Sequence, residues 1–215
     1  MNDLDLKELV ESELEFDTSL DASGIGVTVE NGIVTLSGHV GTYAEKLAAE
    51  HCAARIRGVR GLAQEITVRY ANHKRVADDE IAARAVRIID WDTTIPDDAV
   101  QVKVQNGWVT LSGEVNWGFE RAAAEQAVQK LGGVLGIANA ITVRPHAERS
   151  DIRRRIEQAM LRDADLRADR IHVDVTGGRV TLTGTVEAWH DRSVAERAAW
   201  ATPGVQEVED RLTVL

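Results

Sequence analysis

The stretch of sequence that decides the fold reads Gly32-Ile-Val-Thr-Leu-Ser-Gly38. Its apolar residues Val34 and Leu36 alternate with polar ones, the period of two that is typical of a strand with one buried face. Residues 25–30, just before it, alternate in the same way. Asn31 and Gly32 lie between the two runs, and an Asn-Gly pair favours a two-residue type I′ turn because both of its positions need a positive φ. The stretch is therefore predicted to be the second strand of a β-hairpin.

The same stretch occurs three times. It recurs 75 and then 71 residues later, as Gly107-Trp-Val-Thr-Leu-Ser-Gly113 and Gly178-Arg-Val-Thr-Leu-Thr-Gly184. A Gly-Val pair and an apolar-Thr-Val triplet follow each copy at constant offsets. Such repetition predicts three tandem domains, over residues 1–70, 78–145 and 149–215, which we call the first, second and third units. Short linkers at 71–77 and 146–148 join them.

Two helices complete each unit. Apolar residues spaced by four, such as those from Leu6 to Leu14, place one buried stripe on a first helix. An alanine-rich second helix begins near Thr42, where Glu45 completes a capping box, and Gly58 is expected to end it. The order α-β-β-α-β with one apolar sheet face predicts an α+β fold. Each unit is then a two-layer sandwich, with two helices on one face of a three-stranded mixed sheet.

Composition narrows the class of protein. The chain has 215 residues, a net charge of −10, 44% hydrophobic and 28% charged residues, which is ordinary for a folded soluble protein. Its one cysteine excludes an internal disulfide, and its acidity argues against a polyanion-binding surface along the whole chain. We expect no transmembrane segment, because no apolar run approaches about 18 residues. The acidic start lacks the features of a signal peptide, so we expect a cytoplasmic location, or a periplasmic one if a signal was removed.

The repeated pattern resembles the BON domain, a family named after bacterial osmotically inducible and nodulation proteins. The resemblance rests on V-x-V-x-x-G-x-V-T-L-S-G-x-V, on the alanine-rich helix and on the Gly-Val and Ile-Thr-Val elements, and it covers essentially the whole chain. It implies a non-enzymatic binding or scaffolding protein without a cofactor. It further implies a role in osmotic or envelope stress or transport, and association with a protein partner or an anionic phospholipid surface.

One candidate binding patch is basic. The third unit opens with Arg149, followed on its first helix by Arg153, Arg154 and Arg155. Near an anionic membrane such residues contribute about 1 kcal/mol each, so the cluster is a candidate for lipid contact. The interpretation that we favour is a solvated helix face that pairs with nearby acids.

The other candidates are aromatic. Tyr43, Trp117 and Trp189 recur near the start of the second helix, and they predict an interfacial anchor or a contact between units, of which we favour the contact. Trp108 lies on the outward face of the sheet. It predicts packing or partner binding that is peculiar to the second unit.

Nothing in the sequence predicts catalysis or metal binding. The six histidines occupy unrelated positions in their units, and no two of them have ligand spacing on one helix. Cys52 stands where the other units have Ala127 and Ala198, which predicts a small buried residue rather than a nucleophile. One aspartate recurs at the end of each first helix, and we expect it to cap the following turn rather than bind a ligand. These aspartates are Asp17, Asp92 and Asp163.

One alternative function comes from the glycine pairs. Gly58-Val-Arg-Gly61 and Gly133-Val-Leu-Gly136 resemble the G-x-x-G loop of KH domains, which bind RNA. The third unit lacks the second glycine, and basic residues accompany the loop in the first unit only. We therefore expect no nucleic-acid partner and keep a KH-like RNA-binding protein as the alternative.

Overall fold

The three units repeat one order of elements. The computed structural model describes residues 2–70, 76–144, 152–162, 166 and 168–215. The first unit consists of α1 (Asp3–Phe16), β1 (Ile25–Glu30), β2 (Ile33–Val40), α2 (Tyr43–Ala54) and β3 (Gly61–Val68). The second consists of α3 (Asp78–Trp91), β4 (Val100–Gln105), β5 (Trp108–Val115), α4 (Gly118–Gln129) and β6 (Gly136–Val143). The third consists of α5 (Ile152–Leu161), β7 (Ile171–Thr176), β8 (Arg179–Val186), α6 (Trp189–Trp200) and β9 (Glu207–Val214).

The predicted mixed sheet is confirmed in each unit. β2 pairs antiparallel with β1 and parallel with β3, and the other two units repeat this pattern. Asn31 and Gly32 have φ values of 54° and 77°, as the type I′ turn requires. A parallel pair needs a long crossover connection, and α2 supplies it between β2 and β3.

Each unit has its own core between the helices and one sheet face. In the first unit, Leu6, Val10 and Leu14 of α1 are buried against Val34 and Leu36 of the sheet. Residues of α2, among them the buried Ala49 and Ala53, fill the same cluster. Both helices therefore cover one face, which confirms the two-layer sandwich.

The first helix also holds the hairpin turn, which the sequence analysis did not predict. The Asp3 carboxylate accepts hydrogen bonds from the Asn31 and Gly32 N–H groups at 2.7 and 3.0 Å. Asp78 does the same for the turn of the second unit, at 2.6 and 2.9 Å. Arg149 takes this place in the sequence of the third unit, and it lies outside the described residues.

The last glycine of the repeated stretch lets two strands approach closely. Gly113 has a φ of 134°, and a Cβ there would overlap the carbonyl oxygen of Ala99, the residue before β4. Gly38 and Gly184 have φ values of 110° and 124° and the same close neighbour. The Thr142 hydroxyl donates to the Gly113 carbonyl at 3.0 Å, which explains the threonine of the apolar-Thr-Val triplet.

The prediction that Gly58 ends the second helix is wrong. α2 ends at Ala54, and Gly58, with a φ of 97°, lies in the turn that follows. A Cβ on Gly32 would lie 3.2 Å from the Gly58 carbonyl oxygen, and the Arg60 N–H donates to the Gly32 carbonyl at 2.8 Å. Gly58 therefore allows this turn to pack on the hairpin and does not end the helix.

The first and second units meet through two tyrosines. Tyr43, at the start of α2, packs against the core of the second unit. The Tyr70 hydroxyl donates to the Val134 carbonyl at 3.0 Å. Burial raises the pKa of both phenols, and the Glu125 carboxylate of the second unit adds to the effect at Tyr43.

The second and third units meet at Trp200, the last residue of α6. Its ring packs against the cores of both units. Gly118, the first residue of α4, is buried there. A Cβ on this residue would come within 2.6 Å of the Trp200 carbonyl oxygen, so the contact leaves no space for a side chain. The Arg121 guanidinium lies over the Trp200 ring, 5.0 Å from its centroid.

The third unit also touches the first, which closes a ring. α6 contacts α2, and the Arg57 guanidinium lies 3.5 Å from the Glu187 carboxylate. The start of α2 thus packs on the second unit, the start of α4 on the third unit, and α6 on α2 of the first. Head-to-tail contacts of this kind either close or extend without limit, and the sequence did not decide between these arrangements.

Replacing Gly113 by alanine tests the close approach of the strands. We expect Gly113→Ala to lower the free energy of unfolding by about 3 kcal/mol, because the backbone is strained for any L-residue and the Cβ overlaps a carbonyl. Urea unfolding measures the change. Gly132→Ala is the matched control, since Gly132 has no heavy atom within 4 Å of an added Cβ, and it should change stability by less than about 1 kcal/mol. Equal effects of the two variants would contradict the role of Gly113.

Replacing Trp200 by alanine tests the contact between the second and third units. A half-buried tryptophan that fills two cores should cost about 2 kcal/mol on truncation, roughly half the cost of a fully buried one. Trp91→Ala is the control, because Trp91 is 81% exposed, and it should change the free energy of unfolding by less than about 0.5 kcal/mol. Similar stabilities for the two variants would show that Trp200 does not hold the units together.

Candidate binding surfaces

Two aromatic side chains project into solvent from the ends of the first helices. Phe16 is 83% exposed and Trp91 is 81% exposed, and each is the last residue of its helix. They occupy the same position of their units, 75 residues apart. Sequence reasoning missed both. The available signal was that neither residue fits the spacing of four that defines the buried stripe.

Further apolar side chains extend this side of the first helices. Leu9 lies seven residues before Phe16, and Ile88 lies three residues before Trp91, so each pair shares one side of its helix. The exposed fraction is 49% for Leu9 and 37% for Ile88. Arg162, just after α5, stands at the position of Phe16 and Trp91 in the third unit, and Arg155 stands at that of Leu9. We call this side of α1, α3 and α5 the outer flank.

The predicted basic patch is exposed where it is described. Arg153, Arg154 and Arg155 lie on the solvent side of α5, and Arg149 lies outside the described residues. The Arg153 guanidinium is 2.9 Å from the Asp174 carboxylate, with both side chains more than half exposed. An exposed pair of this kind contributes only about 0–1 kcal/mol, so it can exchange with another anion.

The aromatic residues at the second helices have different surroundings. Tyr43 lies between the first and second units. Trp189 is half-buried under Arg192 of its own helix, with the guanidinium 4.5 Å from the ring centroid. Trp117 is half-buried at the start of α4, and its backbone N–H donates to the Glu120 carboxylate at 3.0 Å. Trp108 is 56% exposed on the outward sheet face.

Cys52 is a poor nucleophile in this structure. It is buried, and its thiol donates to the Asp17 carboxylate at 3.3 Å. Burial, together with the neighbouring carboxylate, raises the pKa of the thiol to about 12. Asp17 also accepts from the Ser19 N–H at 2.8 Å and Asp92 from the Thr94 N–H at 2.9 Å, so both cap the turn after the first helix as predicted. Asp163 lies outside the described residues.

Neither a metal centre nor a membrane-spanning helix is present in the described ranges of the chain. These ranges contain no group of three or more His, Cys, Asp or Glu side chains placed to hold a metal ion. They also contain no helix that is long and apolar enough to cross a bilayer.

A histidine lies near the contact between the third and first units. His190 of α6 is half-buried, and its burial and the neighbouring Arg197 lower its pKa. His51 of α2 and Arg55, the residue just after α2, act in the same direction, and Asp191 opposes them. Protonation of His190 would add a cation to a cluster that is already positive.

Lowering the pH tests this cluster. The unfolded chain binds the proton near pH 6.5, whereas the folded protein binds it only at lower pH, so the contribution of His190 to stability is constant above about pH 6.5 and falls below it. We expect His190→Gln to lose less stability than the unchanged protein between pH 7.5 and pH 5. Urea unfolding at several pH values measures the difference. Parallel pH profiles would contradict the lowered pKa.

The chain is similar to a curated protein and to solved structures. A curated relative, osmotically-inducible protein Y of Escherichia coli (strain K12), is 27% identical over 143 residues, which are 65% of this chain and 71% of the relative. Two structures of CdsD, a structural protein of the type III secretion system of Chlamydia trachomatis, align at 16% and 15% identity. They cover 98% and 100% of this chain and 92% and 100% of their own, each with a TM-score of 0.27.

The family comparison agrees with the three repeated units. The model of the BON domain matches three times, at residues 2–70, 77–145 and 148–215. These matches span nearly the whole sequence, and each contains one α-β-β-α-β order of elements. The chain therefore belongs to the BON domain family.

Proposed function

We propose that this protein is a non-enzymatic binding and scaffolding protein that associates with anionic phospholipid surfaces through the outer flank of its first helices. Its relation to osmotically-inducible protein Y supports a stress-related role. The buried, protonated thiol of Cys52 offers no nucleophile for a covalent reaction. The observation that carries the proposal is the pair of exposed aromatic residues, Phe16 and Trp91.

Exposed aromatic side chains at equivalent positions favour an interfacial role. A large apolar side chain in water is unfavourable, and aromatic residues are enriched where proteins meet the headgroup region of a membrane. Phe16 and Trp91 are the most exposed of the large hydrophobic residues described. Their separation on two units argues for a broad surface as the ligand, rather than for a protein segment that would need one continuous apolar patch.

The ring gives these positions a common geometry. Units related by head-to-tail contacts in a closed ring carry equivalent positions at one height along the ring axis. Phe16, Trp91 and Arg162 are equivalent positions. Two aromatic side chains could then enter the headgroup region while Arg155 and Arg162 meet lipid phosphates.

Electrostatics predicts moderate dependence on salt. The net charge of −10 opposes approach to an anionic surface, while the arginines of α5 favour it by about 1 kcal/mol each. Apolar insertion does not depend on screening, but the attraction of the arginines weakens as the Debye length shortens. Binding should therefore weaken with added salt without being abolished.

Vesicle sedimentation tests the proposal. Vesicles of phosphatidylglycerol and phosphatidylcholine are compared with phosphatidylcholine alone over a series of salt concentrations. Phe16→Ser and Trp91→Ser should each weaken binding to the anionic vesicles about tenfold, as expected for about 1.4 kcal/mol of lost burial. Trp108→Ser, which removes an exposed aromatic from the sheet face, is the matched control and should bind normally.

The basic residues are tested in the same assay. The variant with Arg153, Arg154 and Arg155 changed to alanine should bind anionic vesicles more weakly at low salt and lose most of the salt dependence. Failure of the unchanged protein to sediment with anionic vesicles at low salt would contradict the proposal. Normal binding by both aromatic variants would contradict the assignment of the outer flank.

A further inference from the structure

The outward face of the second unit's sheet presents a tryptophan on an almost uncharged surface. Trp108 begins β5 and pairs with Gly136 of the parallel strand β6. Its side chain is 56% exposed. Val109 and Leu111 of β5 are buried in the core. Trp108 and the residues that alternate with them therefore lie on the outward face of the sheet.

The Trp108 ring lies flat on Gly136. A Cβ added to Gly136 would overlap the ring at Cζ3, and Cε3 and Cη2 would lie only 2.6 and 2.7 Å from it. Three ring atoms at nearly equal distance mean that the glycine lies against the face of the ring, since an approach along the edge would leave the flanking atoms much farther away. One face of the indole is therefore supported by backbone, and the other is available to a ligand without loss of side-chain freedom.

Small and neutral polar groups surround this ring. β6 adds the exposed Ala138 and Ala140, which leave the surface beside the ring flat. The outward residues of β4 and β5 carry amides and hydroxyls: Gln105 pairs directly with Trp108, Thr110 follows two residues later, and Gln101 and Ser112 pair with each other farther along the strands. Lys103 is an exposed charge on this face, and Glu114 at its far end pairs with Arg144 at 3.1 Å.

The other two sheets differ at the same positions. Ile33 and Arg179 replace Trp108 in the first and third units. In the third unit, Arg179 pairs with Glu207 across the sheet at 2.8 Å, and Arg211 pairs with Glu209. The neutral face with a supported tryptophan is thus a feature of the second unit alone among the three sheets.

We propose that this face binds a neutral polysaccharide chain. A pyranose ring has an apolar face of C–H groups, which packs on an aromatic face, and a rim of hydroxyls, which match amide and hydroxyl side chains. A neutral ligand suits this sheet face, because the face carries no cluster of unpaired charges. An apolar protein surface is a less suitable ligand for this face, because it would bury these amides and hydroxyls without partners, at a cost of about 1–3 kcal/mol each.

Titration with defined oligosaccharides tests the proposal. The probes are the β-1,4-linked hexasaccharides of glucose and of N-acetylglucosamine, followed by the NMR signal of the Trp108 indole N–H, which the Trp108→Phe variant assigns. We expect at least one probe to shift that signal in a saturable manner. Trp108→Ala should weaken binding at least tenfold, and Gly136→Ala should weaken it too by displacing the ring. Ile33→Ala, the matched change on the first unit, should bind normally.

Three results would overturn the proposal. The first is that neither hexasaccharide shifts the Trp108 signal at about 10 mM, beyond which affinity is too weak for specific recognition. The second is that Trp108→Ala binds as well as the unchanged protein. The third is that the signal shifts with protein concentration alone, which assigns the face to a second copy of the chain. Urea unfolding verifies that the variants are folded. Because vesicle binding uses the outer flank and not Trp108, failure here leaves the proposed lipid association standing, and the reverse also holds.

Discussion

The structure depends on three glycines that bring strands closer than any side chain would allow. At Gly38, Gly113 and Gly184 the backbone has a positive φ and passes against the carbonyl of the residue before the first strand. In each unit a threonine of the last strand donates its hydroxyl to the carbonyl of that glycine, at 3.0–3.1 Å. One glycine thus fixes the positions of all three strands. The same glycine and threonine join the strands in all three units, which explains why both recur in the repeated pattern.

The ring adds a second level of organisation. Units of about 70 residues bury a smaller fraction of their surface than large domains do, and contacts with neighbours compensate for that. The contacts use the same element of each unit but different residues: Tyr43 packs on the second unit, whereas Gly118 leaves space that Trp200 of the third unit fills. Units with the same fold are therefore joined in a fixed cyclic order rather than interchangeably.

The sequence predicted the fold well because its signals are local. Alternation in β2, the Asn31-Gly32 turn and the spacing of Leu6, Val10 and Leu14 each follow from neighbouring residues. Contacts between distant residues were missed, including the Asp3 carboxylate on the hairpin turn and the packing of Gly58 on Gly32. The candidate surface was harder still. Tryptophan is often mostly buried, and the packing shows that Trp91 is exposed whereas Trp200 is shared by two units.

The central claim is that the outer flank of a closed ring meets a membrane surface, and the depth of Trp91 tests it most directly. The measurement is quenching of tryptophan fluorescence by anionic lipids brominated on their acyl chains, for the unchanged protein and for Trp91→Phe. Our account predicts strong quenching in the unchanged protein and a much smaller effect in the variant, because Trp91 enters the interface while Trp108 and Trp200 do not. Equal quenching in the two proteins, or none in either, would contradict it.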